Sequence, residues 1–157
     1  MEIYTIGVYG KTEEDFFNKI TSAGVTYFID VRLRRGMRGA QYKFVNSLYL
    51  QNKLDSLGVR YAHYKDLAPT KEIRSIQVVA DKQLGDSKRA REKLSVEFRR
   101  KYQQEILNNY DFSQLTGTLP SETICFFCVE RDCLACHRSL ISEYLMGSVS
   151  ELSVIHL

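Results

Sequence analysis

Apolar runs and helical stripes alternate along this chain. Ile3 to Ile6 is a short apolar run stopped by Gly7, and it predicts a first strand. Thr12-Glu13-Glu14-Asp15 resembles a capping box, with Asp where Glu or Gln is usual. Phe16, Phe17, Ile20 and Ala23 follow at helical spacing, and Gly24 is placed to cap that helix. Val25 to Val31 is a nearly continuous apolar strand, as in a sheet covered on both faces.

Asn46 is positioned to start a helix that carries Leu50, Leu54 and Leu57 on one stripe and closes at Gly58. Val59 to Tyr64 predicts a third strand. Residues 65 to 87 are mixed and charged, with one short helix near Ile73 to Ala80. Lys88 to Tyr110 is the longest helical pattern, with Leu94, Phe98, Tyr102 and Ile106 at steps of four. Thr123 to Val129 predicts a fourth strand. A helix from His137 to Met146, ended by Gly147, and a strand from Leu152 to Leu157 complete the chain.

Strands separated by helices of this length form βαβ units. The expected fold is therefore α/β: a mainly parallel five-stranded sheet with helices on both faces, Rossmann-like. No repeat or low-complexity segment interrupts residues 1–157, and neither Pro69 nor Pro120 marks a boundary, so a single α/β domain is expected.

Composition changes this picture little. No run of about 18 apolar residues is present, and the first residues already form a strand rather than a signal peptide. A cytoplasmic protein without a membrane partner is expected. Four cysteines within twelve residues of one another, in a chain without an export signal, argue against a disulfide framework.

Charge is more informative in its distribution than in its net value of +3. Arg32, Arg34, Arg35, Arg38, Lys43 and Lys53 occur between Arg32 and Leu54 with no acid among them. A second basic run, Lys88-Arg89-Ala90-Arg91, follows later.

In an open parallel sheet, ligands bind at the carboxyl ends of the strands. The predicted strands end near Gly7, at Asp30 and Arg32, near His63, at Cys128 and Glu130, and at His156. Asp30 and Arg32 share a side in extended geometry, either as a local ion pair or with Arg32 holding an anion. Gly36 and Gly39 give the basic loop freedom for close approach.

Cys125, Cys128, Cys133 and Cys136 form two C-x-x-C pairs, yet they do not suit a four-cysteine zinc site. Only four residues separate the pairs, and an offset of three inside a strand sends Cys125 and Cys128 to opposite faces. Cys133-Leu-Ala-Cys136-His137 matches haem attachment only by coincidence, because that maturation requires export. Thiol and carboxylate chemistry fits better. Cys128 and Glu130 share a face, and Cys136 starts a helix whose dipole favours a thiolate. His137 can handle a proton and Arg138 supplies positive charge. Cys125 reads as a small buried hydrophobe and Cys133 as a loop residue. No Cys-x5-Arg phosphate loop is present, which weighs against phosphatase and sulfurtransferase chemistry.

Six motifs occur in one order: Thr5-Ile6-Gly7, Asp30-Val31-Arg32, Tyr61-Ala62-His63, Cys128-Val129-Glu130, Cys136-His137-Arg138 and Val154-Ile155-His156-Leu157, with Arg38 and Phe44 in the loop after the second. In this the chain resembles the family catalogued as domain of unknown function number 488. Cys125 and Cys133 fall outside that pattern, and Val8-Tyr9 stands where the family usually has Ser. The resemblance implies that the strand-end residues belong together; it implies no reaction.

The expected function is an enzyme acting on an anionic small molecule or nucleotide. Arg32, Arg38 and Arg138 would bind the anion, and Asp30, Cys128, Glu130, Cys136 and His137 would do the chemistry. Gly7, His63 and His156 would form the rim. One alternative is a nucleic-acid binding module using the basic loop and a Lys88–Lys101 helix face. Another is a metal site built from Cys128 and Cys136 with one or more of His63, His137 and His156. The sequence specifies no cofactor and no oligomeric state.

Overall fold

The computed structural model describes residues 1–157. Its five strands are β1 (Glu2–Ile6), β2 (Tyr27–Asp30), β3 (Arg60–His63), β4 (Ile124–Phe127) and β5 (Ser153–His156). They form one sheet in the order β3-β2-β4-β1-β5, and every pair is parallel. The expected α/β class and parallel sheet are both present. No helix is long and apolar enough to cross a membrane.

The helices are α1 (Glu13–Ser22), α2 (Ser47–Ser56), α3 (Lys71–Gln83), α4 (Val96–Glu105), α5 (Ser113–Thr118) and α6 (His137–Ser148). The chain leaves β1 and β2 towards one edge of the sheet and β3 and β4 towards the other. Right-handed crossovers then place α1 and α2 on one face and α3, α4 and α6 on the opposite one. Packing agrees. Phe16 of α1 meets Phe28 and Phe127, whereas Tyr102 of α4 lies edge-on to His137 of α6.

Local signals explain most boundaries. The Thr12 hydroxyl accepts the Asp15 N–H and starts α1. Gly24 and Gly58 follow α1 and α2 with φ of +65° and +73°, a backbone region that favours glycine. The core strands β2 and β4 are buried at all four positions each, as expected of strands covered on two faces.

Several boundaries differ from expectation: the long helix stops at Glu105 rather than Tyr110, and α5 lies outside every predicted element. The helix predicted over Lys88–Tyr110 begins only at Val96, because the Ser95 hydroxyl caps it by accepting the Phe98 N–H. Lys88 to Leu94 is instead a turn pinned to the loop before α6, with the Leu94 N–H donating to the Leu134 carbonyl at 2.9 Å. α3 extends well beyond the predicted Ile73–Ala80, since Thr70 caps its start through the Ile73 N–H. α6 runs through Gly147 to Ser148.

Candidate functional site

β4 ends at Phe127, and Cys128 and Glu130 follow two residues apart. The chain then turns back through Cys133–Ala135 and enters α6 with Cys136 as its cap residue and His137 as its first helical one. This return brings the two segments together. The Cys128 and Cys136 sulfurs and the His137 ring lie within 4.8 Å of one another, and all three residues are buried. The Cys128 thiol donates to Glu130 Oε2 at 3.2 Å, and Cys136 Sγ lies 3.8 Å from His137 Nδ1. His137 Nε2 is 3.0 Å from the Val31 carbonyl. A carbonyl only accepts, so Nε2 carries the proton and Nδ1 faces the sulfur.

The electrostatics follow from this crowding. Burial alone would push the Cys136 thiol up, but the neighbouring Cys128 thiol and the charges of Arg138 and His137 outweigh it and hold the thiol well below its ordinary value. The adjacent Cys136 sulfur and burial push Cys128 well up. Burial, joined by the negative Cys136 sulfur, raises Glu130. Burial would lower His137, and the Cys136 charge more than reverses this. The floor thus brings together one thiol of lowered proton affinity and a second thiol, a carboxyl and an imidazole of raised proton affinity.

Asp30 and Arg32 form a separate cluster against the other helix layer. Arg32 Nε and Nη2 reach Asp30 Oδ1 and Oδ2 at 2.9 and 2.7 Å, and Nη2 also reaches the Val45 carbonyl at 2.9 Å. The guanidinium sits 4.6 Å from the centre of the Phe127 ring. Tyr61 donates to Asp30 at 2.9 Å. Burial, then the Asp30 charge, pushes that hydroxyl up to about 12, so it remains a donor at neutral pH. Arg32 Nη1 is buried without a partner.

Above both clusters lies a cleft of about 830 Å³, lined by nine Lys or Arg side chains against three Asp or Glu. Cys128, Glu130, Cys136 and His137 are at its floor, and Arg32, Arg34 and Arg38 are on the wall formed by the basic loop. Arg91 closes the opposite wall. It donates to Asp81 at 2.9 Å, to Glu130 at 3.4 Å and to the Ala135 carbonyl at 3.1 Å. The cleft lies beyond the ends of β2 and β4, neighbours whose chains leave towards opposite faces, the usual place for a ligand in such a sheet.

The residues expected at the strand ends therefore divide. Cys128, Glu130, Cys136, His137, Arg32 and Arg38 line the cleft, whereas Asp30, Arg138, Gly7, His63 and His156 do not. Asp30 holds Arg32. Arg138, 1% exposed, donates to the Glu130 and Arg131 carbonyls at 2.7 and 3.2 Å and braces the turn after β4. Gly7 lets that turn approach, since a Cβ there would stand 1.9 Å from the Glu130 carbonyl oxygen. His63 Nε2 meets the Arg32 carbonyl at 2.7 Å, and His156 Nδ1 meets the Thr5 hydroxyl at 2.6 Å. Neither histidine joins the cysteine cluster.

Sequence reasoning missed the α3 and Arg91 side of the cleft. Gln77 and Asp81, one turn apart on α3, are buried, and the Gln77 amide joins Asp81 to the Ser95 N–H. Two polar residues four apart in a helix were the available signal. The continuous Lys88–Lys101 helix face required by the nucleic-acid alternative is absent, because residues 88–94 are not helical.

The family model described as Domain of unknown function DUF488 matches residues 12–145, and the chain belongs to that family. The opening Thr5-Ile6-Gly7 and the closing Val154–Leu157 lie outside the matched residues. No curated protein and no solved structure matches the chain.

Proposed function

For this member of the DUF488 family we propose an enzyme that binds an anionic small molecule in the basic cleft and transforms it at the cysteine floor. One observation carries the reading: two thiols, a carboxyl and an imidazole share the floor of a cleft whose walls hold nine cationic side chains. Arg38 and the unpartnered Nη1 of Arg32 bind the anion, because guanidinium N–H groups match paired oxygens. Cys136 supplies an electron-rich sulfur. Glu130, with its raised proton affinity, accepts and returns a proton. Free thiols at all four cysteines suit a reducing compartment, the cytoplasm.

Calorimetric titration with inorganic phosphate tests the anion site. Arg38→Ala should weaken binding by about tenfold, the loss of one charge-assisted hydrogen bond worth roughly 1.5 kcal/mol. Absence of phosphate binding to the wild type, or equal affinity in Arg38→Ala, would overturn the reading.

A further inference from the structure

We propose that the cleft floor holds one zinc-type divalent metal ion, bound by Cys128, Cys136 and His137, with a fourth position open to the cleft. This inference rests on the reading of the cleft as the reacting site and gives the electron-rich sulfur its partner.

Three observations support it. First, the donors are of the right kind and number. Two thiolates and one imidazole with an open position form a set that zinc uses in catalysis, and the softness of the sulfurs selects zinc over magnesium or calcium. Second, the spacing suits one ion. Tetrahedral zinc places a sulfur and a nitrogen ligand roughly 3.6 Å apart, and Cys136 Sγ and His137 Nδ1 stand at 3.8 Å. All three donor atoms fit within 4.8 Å. Third, the surroundings orient the ligands. Nε2 of His137 donates to the Val31 carbonyl at 3.0 Å, which leaves Nδ1 unprotonated towards the cluster, as metal-bound histidines are ordinarily held. Tyr102, stacked edge-on, limits rotation of the ring.

Charge supports the same assignment. Two thiolates beside the buried Glu130 carboxylate would repel one another in a medium of low dielectric. A divalent cation neutralises the pair of sulfurs and leaves the ring neutral. Glu130 Oε2 lies 3.2 Å from Cys128 Sγ, beside the donor set. Cys125 is enclosed in the core and Cys133 lies outside the cluster, so neither is a ligand.

The test uses the whole chain, purified without chelator from zinc-supplemented culture. Elemental analysis should find about one zinc per chain. After stripping, cobalt(II) should restore one equivalent and give a thiolate-to-cobalt charge-transfer band in the near ultraviolet. Cys128→Ser and Cys136→Ser should each cut metal affinity at least tenfold, while Cys133→Ser and Glu130→Gln retain one equivalent. If Cys128→Ser or Cys136→Ser fails to fold, the wild-type cobalt band still decides the point. No zinc or cobalt uptake, a cobalt spectrum without thiolate absorption, or metal lost in Cys133→Ser would each sink the assignment. Phosphate binding without zinc uptake defeats this inference alone. Zinc uptake without phosphate binding defeats the anion reading alone.

Discussion

Asp30 and Arg32 have side chains 0% and 3% exposed, so water shares none of their charge. A buried pair of this kind contributes little compared with a well-packed apolar pair, but removal of one partner leaves the other stranded. Arg32→Met should therefore cost about 3–5 kcal/mol in urea denaturation, and Asp30→Leu combined with Arg32→Met should recover much of that loss. A single Arg32→Met variant within 1 kcal/mol of wild type would contradict this. The cost arises from the unpaired Asp30 carboxylate, which retains only the Tyr61 hydroxyl and the Arg32 N–H. At this scale the sequence was readable by residue type and ambiguous by role. The two-residue spacing of Asp30 and Arg32 suggested either an ion pair or an anion site, and the structure makes the pair while leaving Nη1 buried and unpartnered. Arg138 reads equally well as a ligand arginine from its sequence. Only the turn after β4, which places two carbonyls around it, makes it a brace.

The Ser95 cap governs where the basic run lies. Ser95→Ala removes the hydroxyl that accepts the Phe98 N–H and should cost about 1 kcal/mol, read as a lowered thermal midpoint. The Ser95 N–H also donates to Gln77 at 2.9 Å, so Gln77→Ala should add to the loss by less than its separate cost, since the two share one hydrogen-bond chain. Strict additivity in the double variant would argue against that coupling. The apolar stripe Leu94, Phe98, Tyr102, Ile106 continues smoothly across Ser95, which is why periodicity alone extended the helix back to Lys88. Leu94 is buried, as the stripe requires, but it belongs to the preceding turn. The elements with strong caps and continuous apolar runs, α1, β2 and β4, were legible. Those whose ends depend on contacts distant in sequence, such as the Leu94–Leu134 hydrogen bond, were not.

In the whole molecule, β2, β4 and β1 each pair on two sides, whereas β3 and β5 are edges. Native-state hydrogen exchange should show the amides of β4 and β1 opening only with global unfolding, and those of β5 exchanging at least tenfold faster. Equal protection at β5 and β4 would contradict that ranking. Alternating strands and helices revealed the parallel class, but not the strand order, because the order is set by which edges meet across long crossovers. That order has a consequence during synthesis. β4 separates β2 from β1 in the sheet, although in the chain it begins at Ile124, long after β1 ends at Ile6 and β2 at Asp30. A ribosome adding about 5–20 residues per second needs roughly 5 to 20 s to pass from the end of β2 to the end of β4. Throughout that interval β1 has no strand on either side and β2 can pair only with β3. The nascent chain therefore exposes apolar strand edges for seconds, long enough for chaperone capture, until the middle strand slides into place.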